Sequence, residues 1–144
     1  MTKVLQVGTK SLLLLAGMLV QAQDSAIGVD DAKQLVGIVL RHQKFPASSP
    51  YCAVENLDKN GEAFQAGYYA FGASCDFPNT TGATVAWGTY LVSPRTGDVL
   101  NYNTCTWLSY SDLRQRQKQI MLQTGATRAS EQKYRDSIGC EGNG

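Results

Sequence analysis

The feature that most constrains the fold of this chain is the placement of its cysteines. The 144 residues contain four, all in the last two thirds of the sequence: Cys52, Cys75, Cys105 and Cys140. No two of them have Cys-x-x-Cys spacing and His42 is the only histidine, so the pattern does not suit a zinc site. An even number of cysteines in a small exported domain instead predicts two disulfides. We therefore expect a disulfide-stabilised fold without a metal site or a cofactor.

Three pairings of four cysteines are possible, and their spacing alone does not decide among them. We favour Cys52–Cys75 with Cys105–Cys140, because the second bridge would tie the C-terminal tail onto the predicted sheet. Each bridge is expected to stabilise the fold by about 3 kcal/mol, by restricting the unfolded chain.

The N-terminal segment Met1–Ala22 has the pattern of a cleaved signal peptide. Lys3 and Lys10 give it positive charge, and the apolar run Leu12–Val20 follows, with small residues just before Gln23. This run is too short to span a bilayer, which takes about 20 residues, although an uncleaved membrane anchor is the alternative. The sequence thus predicts an exported domain of residues 23–144 with no stable membrane anchor.

The net charge of the chain argues against partners that bind through overall charge, such as nucleic acid. The sequence has 13 Lys and Arg against 12 Asp and Glu, and the predicted signal peptide holds two of the cations and no acid. The predicted mature domain is therefore nearly neutral, which gives no general attraction to nucleic acid or to an anionic membrane.

Apolar periodicity and turn signals predict a single α+β domain. We expect an antiparallel four-stranded meander that is covered on one side by an N-terminal helix and two C-terminal helices. The predicted helices are 30–43, 111–124 and 130–138, and the predicted strands are 52–57, 63–73, 84–92 and 99–103. Asp30 and Ser111 are the predicted N-caps of the first two helices. Gly97 is the predicted left-handed residue of the turn 93–98. In the third strand, alternation places Val85, Trp87, Thr89 and Leu91 on one face.

Cys52 and His42 have the side-chain types of a nucleophile and its base. Using Cys52 in this way would leave three cysteines, an odd number, in an oxidising compartment. His42 lies at the polar end of an amphipathic helix, where a solvated histidine is common. We therefore predict that the protein is not an enzyme.

Aromatic residues are concentrated on the predicted sheet, and most of them are expected to form the core. A sheet with one helical cover can also curl around a ligand. A small-molecule-binding domain with a curved sheet of the cystatin or NTF2 type is therefore the alternative function.

The connection between the last predicted strand and the following helix is the candidate partner-binding segment. It carries small hydroxyl residues beside large aromatics, next to a cysteine that would hold it rigid. The candidate residues are Trp107, Leu108, Ser109, Tyr110 and Ser111. The alternative is a plain connector whose Trp107 and Leu108 fill the core.

Taken together, the signal peptide, the small cysteine-bearing domain and the stretches YLVSPRTGDVLNY and TCTWLSYSD resemble periplasmic immunity proteins of bacterial type VI secretion. The resemblance is to those that protect against peptidoglycan amidases. It implies a periplasmic inhibitor that inserts a loop into the amidase cleft and blocks its Cys-His pair. By the same resemblance Ser109 would reach the catalytic histidine, while Leu108 and Tyr110 pack at the rim.

Overall fold

The computed structural model describes residues 25–79 and 83–140. The predicted signal peptide, residues 1–22, lies outside the described residues. The helices are α1 (Val29–His42), α2 (Ser111–Thr124) and α3 (Arg128–Asp136). The strands are β1 (Cys52–Asn56), β2 (Tyr69–Cys75), β3 (Val85–Val92), β4 (Val99–Asn101) and β5 (Thr106–Trp107). The predicted α+β class is confirmed.

The strands form one antiparallel sheet in the order β1-β2-β3-β4-β5. The predicted meander is correct but one strand short, because β5 lies in a segment that we interpreted as a loop. β5 has only two residues, and Trp107 pairs with Leu100 of β4. Cys105 turns the chain into β5 with a left-handed φ of 51°. A pairing this short leaves no alternating pattern in the sequence.

Helix α1 forms because apolar residues recur every three or four positions along it. Its buried residues are Ala32, Leu35, Val36, Val39 and Leu40. Gly28 is the N-cap and makes no side-chain hydrogen bond, so the predicted cap Asp30 lies inside the first turn. In the first turn, the negative charge of its carboxylate interacts favourably with the positive end of the helix dipole.

A bulge changes which face of the sheet each residue of β3 occupies. Ala73 pairs with Gly88 but Ser74 pairs with Ala86, so Trp87 is the extra residue. Trp87 packs with the α1 side of the core, while Leu91 belongs to the cluster on the opposite face. The predicted common face for Trp87 and Leu91 is therefore wrong.

Helices cover both faces of the sheet, not one as predicted. Side chains of α1 and α2 pack on Phe71, Tyr90 and Val92. The intervening residues of the same strands, including Leu91, point to the other face and pack with Tyr134 of α3. Helix α3 covers only part of this face of the sheet.

The turn between β3 and β4, residues 93–98, is hydrogen-bonded to α2 on one side and to α3 on the other. Gln117 of α2 donates to the Gly97 carbonyl at 3.2 Å. On the α3 side, the Arg95 guanidinium donates to both oxygens of Glu131, at 2.8 and 3.0 Å. Glu131 is fully buried. Gly97 has a φ of 72°, as predicted for the left-handed position of this turn.

Both disulfides follow the pairing that we favoured. Cys52–Cys75 joins residues that are directly opposite on β1 and β2. Cys105–Cys140 joins the turn before β5 to the tail after α3. The second bridge therefore ties the C-terminal tail to the sheet.

Candidate partner-binding site

The predicted segment Trp107–Ser111 leads from β5 into α2, and its first two residues anchor it. The indole of Trp107 packs with the cluster under α3, and the Arg135 guanidinium lies over its ring at 4.0 Å. Leu108 packs with the opposite cluster, and its N–H donates to the Val99 carbonyl at 2.9 Å. Both side chains are half-buried, so they fix the segment on the two faces of the sheet.

Ser109 is exposed and yet held in place. Its Oγ accepts a hydrogen bond from Nη1 of Arg114 at 2.9 Å. Because a hydroxyl has one donor and two acceptor positions, the Ser109 O–H remains available to donate to a partner.

Tyr110 is fixed by a ring stack and by the start of α2. Its ring lies parallel to the His42 imidazole, with centroids 4.0 Å apart and planes 1° apart. Its carbonyl accepts from the Arg114 N–H at 2.8 Å, so Tyr110 is the N-cap. The cap that we predicted, Ser111, is the exposed first residue of the helix.

His42 and Asp112 link the end of α1 to the beginning of α2. Nε2 of His42 lies 2.9 Å from Oδ1 of Asp112. The hydrogen bond with His42 is the main cause that lowers the pKa of the Asp112 carboxyl, which also accepts from the Leu113 N–H. His42 is thus a stacked and paired side chain rather than the simply solvated one that we expected.

A Cys52–His42 catalytic pair is excluded, because the Cys52 sulfur is bonded to Cys75. In the part of the chain that the structure describes, no three His, Cys, Asp or Glu side chains cluster as metal ligands. Within the same residues no helix is long and apolar enough to cross a membrane.

The aromatic residues considered for a ligand pocket are largely packed in the core. Phe71 and Tyr90 are fully buried, and Trp87 meets Phe45 edge to face at 5.4 Å. Nothing in this packing favours the curved-sheet ligand carrier.

A shallow trough of about 200 Å³, which was not predicted from the sequence, lies on the α3 side of the sheet, beyond the part that α3 covers. We call this surface the sheet trough, and the residues that line it are Glu55, Leu57, Gly72, Ala73, Ser74, Ala86, Gly88, Thr89 and Asn103. The available signal was the small or polar residues at alternate positions of β2, Gly72 and Ser74, with Thr89 on β3. The bulge at Trp87 hid that signal, because it changes the alternation within β3.

Comparison with known proteins gives consistent results. Residues 27–132 match the family model described as "T6SS, Immunity protein Tgi2PP". The fold is similar to a chain in the solved structure of a type VI secretion system effector-immunity complex from Pseudomonas protegens, with a TM-score of 0.76 and 34% sequence identity. That match covers 83% of this chain and 94% of the other. No curated protein matches the chain.

The fold is that of a small α+β protein with two disulfides. Because the family model spans well over half of the chain, the protein belongs to the Tgi2PP family of type VI secretion immunity proteins. The resemblance to type VI immunity proteins is thereby confirmed.

Proposed function

We propose that this protein neutralises a cell-wall-degrading type VI secretion effector by seating Trp107–Ser111 in the effector's active site. The observation that carries the proposal is the fixation of this segment. Trp107 and Leu108 anchor it on opposite faces of the sheet, and Ser109 and Tyr110 are held by Arg114 and His42. A segment that is already ordered loses little conformational entropy when it binds.

The effector targeted is a peptidoglycan amidase in our hypothesis, with Ser109 facing its catalytic histidine. The Ser109 O–H is a free donor beside a half-buried aromatic ring, and a donor of this kind suits an unprotonated imidazole nitrogen. The protein itself performs no catalysis and acts in the periplasm, after removal of residues 1–22. Two disulfides are consistent with an oxidising compartment.

The test is calorimetric titration of the effector encoded beside the gene with the mature protein and with Ser109→Arg. The larger, charged side chain should abolish measurable binding by steric exclusion, while the melting temperature stays unchanged because Ser109 is exposed. Ser109→Ala should weaken binding by about 1 kcal/mol, the value of one hydrogen bond.

Ser48→Arg is the matched control, since Ser48 is an exposed serine between α1 and β1. The plug hypothesis fails if Ser109→Arg binds the effector as tightly as Ser48→Arg does. Product analysis of the effector on purified peptidoglycan tests the amidase assignment separately. Cleavage of glycosidic bonds would reject the amidase and leave the immunity role intact.

A further inference from the structure

The sheet trough combines polar side chains that have no partner within the described residues. The Glu55 carboxylate and the hydroxyls of Ser74 and Thr89 border it and make no hydrogen bond or ion pair in residues 25–79 and 83–140. All three are hydrogen-bond acceptors, and Glu55 adds a negative charge. The trough therefore presents hydrogen-bond acceptors beside apolar groups, among them the side chains of Leu57 and Ala86.

The shape of the trough follows from strand register. Glu55 is opposite Gly72, and Gly72 is opposite Thr89, so the three residues form one row across β1, β2 and β3. Gly72 contributes no side chain, and the Leu57 side chain packs over it as an apolar wall of the trough beside the carboxylate and the hydroxyl. Their backbones are roughly 10 Å apart, two strand spacings. The trough of about 200 Å³ that these residues border has room for a single inserted side chain.

An exposed aromatic pair includes Tyr102, the chain neighbour of Asn103, which lines the trough. Tyr102 and Phe64 meet edge to face at 5.6 Å and are 36% and 48% exposed. The Tyr102 N–H donates to the Thr89 carbonyl at 2.8 Å, and Oδ1 of Asn103 accepts from the Thr89 N–H at 2.6 Å. These bonds hold the Tyr102 backbone and the Asn103 side chain against Thr89, which borders the trough.

We propose that the sheet trough is a second contact with the effector and receives an arginine side chain from it. The guanidinium would pair with Glu55, donate to the hydroxyls of Ser74 and Thr89, and lie against the Phe64–Tyr102 pair. Arginine fits better than lysine, because its planar group has five donors and also stacks on aromatic rings. The inference rests on the proposed binding of an effector, but it concerns a surface separate from Trp107–Ser111.

Glu55→Gln tests the proposal in the same calorimetric titration, at low and at high salt. We expect about tenfold weaker effector binding at low salt, because a charge-assisted hydrogen bond becomes a neutral one. We also expect a smaller salt dependence and an unchanged melting temperature, since Glu55 is exposed. Glu62→Gln is the control, because Glu62 is an exposed carboxylate on the 59–62 turn outside the trough.

Ser109→Arg, measured in parallel, separates the two surfaces. If Ser109→Arg abolishes binding while Glu55→Gln behaves like Glu62→Gln, the trough proposal is overturned and the proposed function stands. If Glu55→Gln weakens binding and Ser109→Arg does not, the trough proposal stands and the plug hypothesis falls.

Arginine-to-alanine variants of the effector identify the inserted residue. For one of them, adding Glu55→Gln should cause no further loss of affinity, because both changes remove the same contact. Additive losses for every effector arginine would overturn the assignment. Titration with soluble peptidoglycan fragments checks the other ligand class, and fragment binding that Glu55→Gln abolishes would likewise overturn it.

Discussion

The two faces of the sheet hold their helices by different forces. On one face, α1 and α2 are attached through apolar side chains such as Leu35 and Ile120. On the other, α3 packs through Tyr134 but is also attached by the Arg95–Glu131 pair, the Arg135–Asp98 pair at 2.7 Å and a disulfide. Apolar packing tolerates substitutions of similar volume, whereas a buried ion pair requires both of its partners. The layer of α1 and α2 should therefore tolerate substitutions that conserve volume. The attachment of α3 should not tolerate the loss of either partner of its buried ion pair.

The polar layer is extensive because Glu131 is satisfied from several directions. Besides the two bonds from Arg95, its carboxylate accepts from the Tyr68 hydroxyl at 3.0 Å. Burial, reinforced by the Glu131 charge, raises the pKa of the Tyr68 hydroxyl well above its ordinary value. Arg95 also lies over the Tyr134 ring at 3.5 Å. Removing Glu131 therefore takes away a hydrogen-bond acceptor from both Arg95 and the Tyr68 hydroxyl.

The largest expected effect comes from Glu131→Ala. It leaves Arg95 without its counter-ion in a largely buried site and should lower the free energy of unfolding by about 3–5 kcal/mol. Urea denaturation of the oxidised protein measures this. Gln132→Ala, at the exposed neighbouring position, should change the free energy by less than about 0.5 kcal/mol. Equal values for the two variants would mean that the ion pair does not hold α3.

A truncation on the apolar face should have a somewhat smaller effect. Leu35→Ala is expected to lower the free energy of unfolding by about 3 kcal/mol, through lost burial and a residual cavity. The sharper comparison uses changes that nearly conserve volume. Leu35→Met should cost less than about 1.5 kcal/mol, whereas Glu131→Gln should cost more because it removes the charge that Arg95 requires. The reverse order in urea denaturation would contradict the contrast between the two faces.

The smallest expected effect is at the surface pair of His42 and Asp112. The pKa of Asp112 is lowered in the folded state, so its contribution to stability is present above the unfolded value of 3.8 and lost as the pH falls through the folded value. Asp112→Asn should therefore lower the melting temperature slightly at about pH 5, and this deficit should vanish in more acidic buffer.

Asp76→Asn is the control for this pH series, since the Asp76 side chain is exposed. A deficit of Asp112→Asn that persists at the acid end would show that the carboxylate charge is not its cause.

Most of the helix and strand order is predictable from the sequence, because it depends on local patterns. The periodic apolar residues of α1, the turn around Gly97 and the disulfide pairing were all anticipated. The placement of α3 was not, because Glu131 and Arg95 are charged, and charged residues ordinarily indicate an exposed surface. The bulge at Trp87 depends on pairing between strands, which no local pattern encodes.

In the candidate site, too, some features were predictable from local sequence patterns and others depend on contacts between distant parts of the chain. The position of Trp107–Ser111 between a strand and a helix followed from local signals. The stack of Tyr110 on His42 did not, because it exists only when the ends of α1 and α2 meet in the folded chain. Similarly, the row formed by Glu55, Gly72 and Thr89 needs the register of three strands.

The bridge between Cys105 and Cys140 closes a covalent loop that contains all of α2 and α3. The short connection between these helices includes the exposed residues Gly125 and Thr127, which a protease reaches easily. A single cut there would break the polypeptide backbone, but the C-terminal fragment would stay attached through the Cys105–Cys140 disulfide. The immunity protein is thereby equipped to survive one proteolytic nick with α3 still in place.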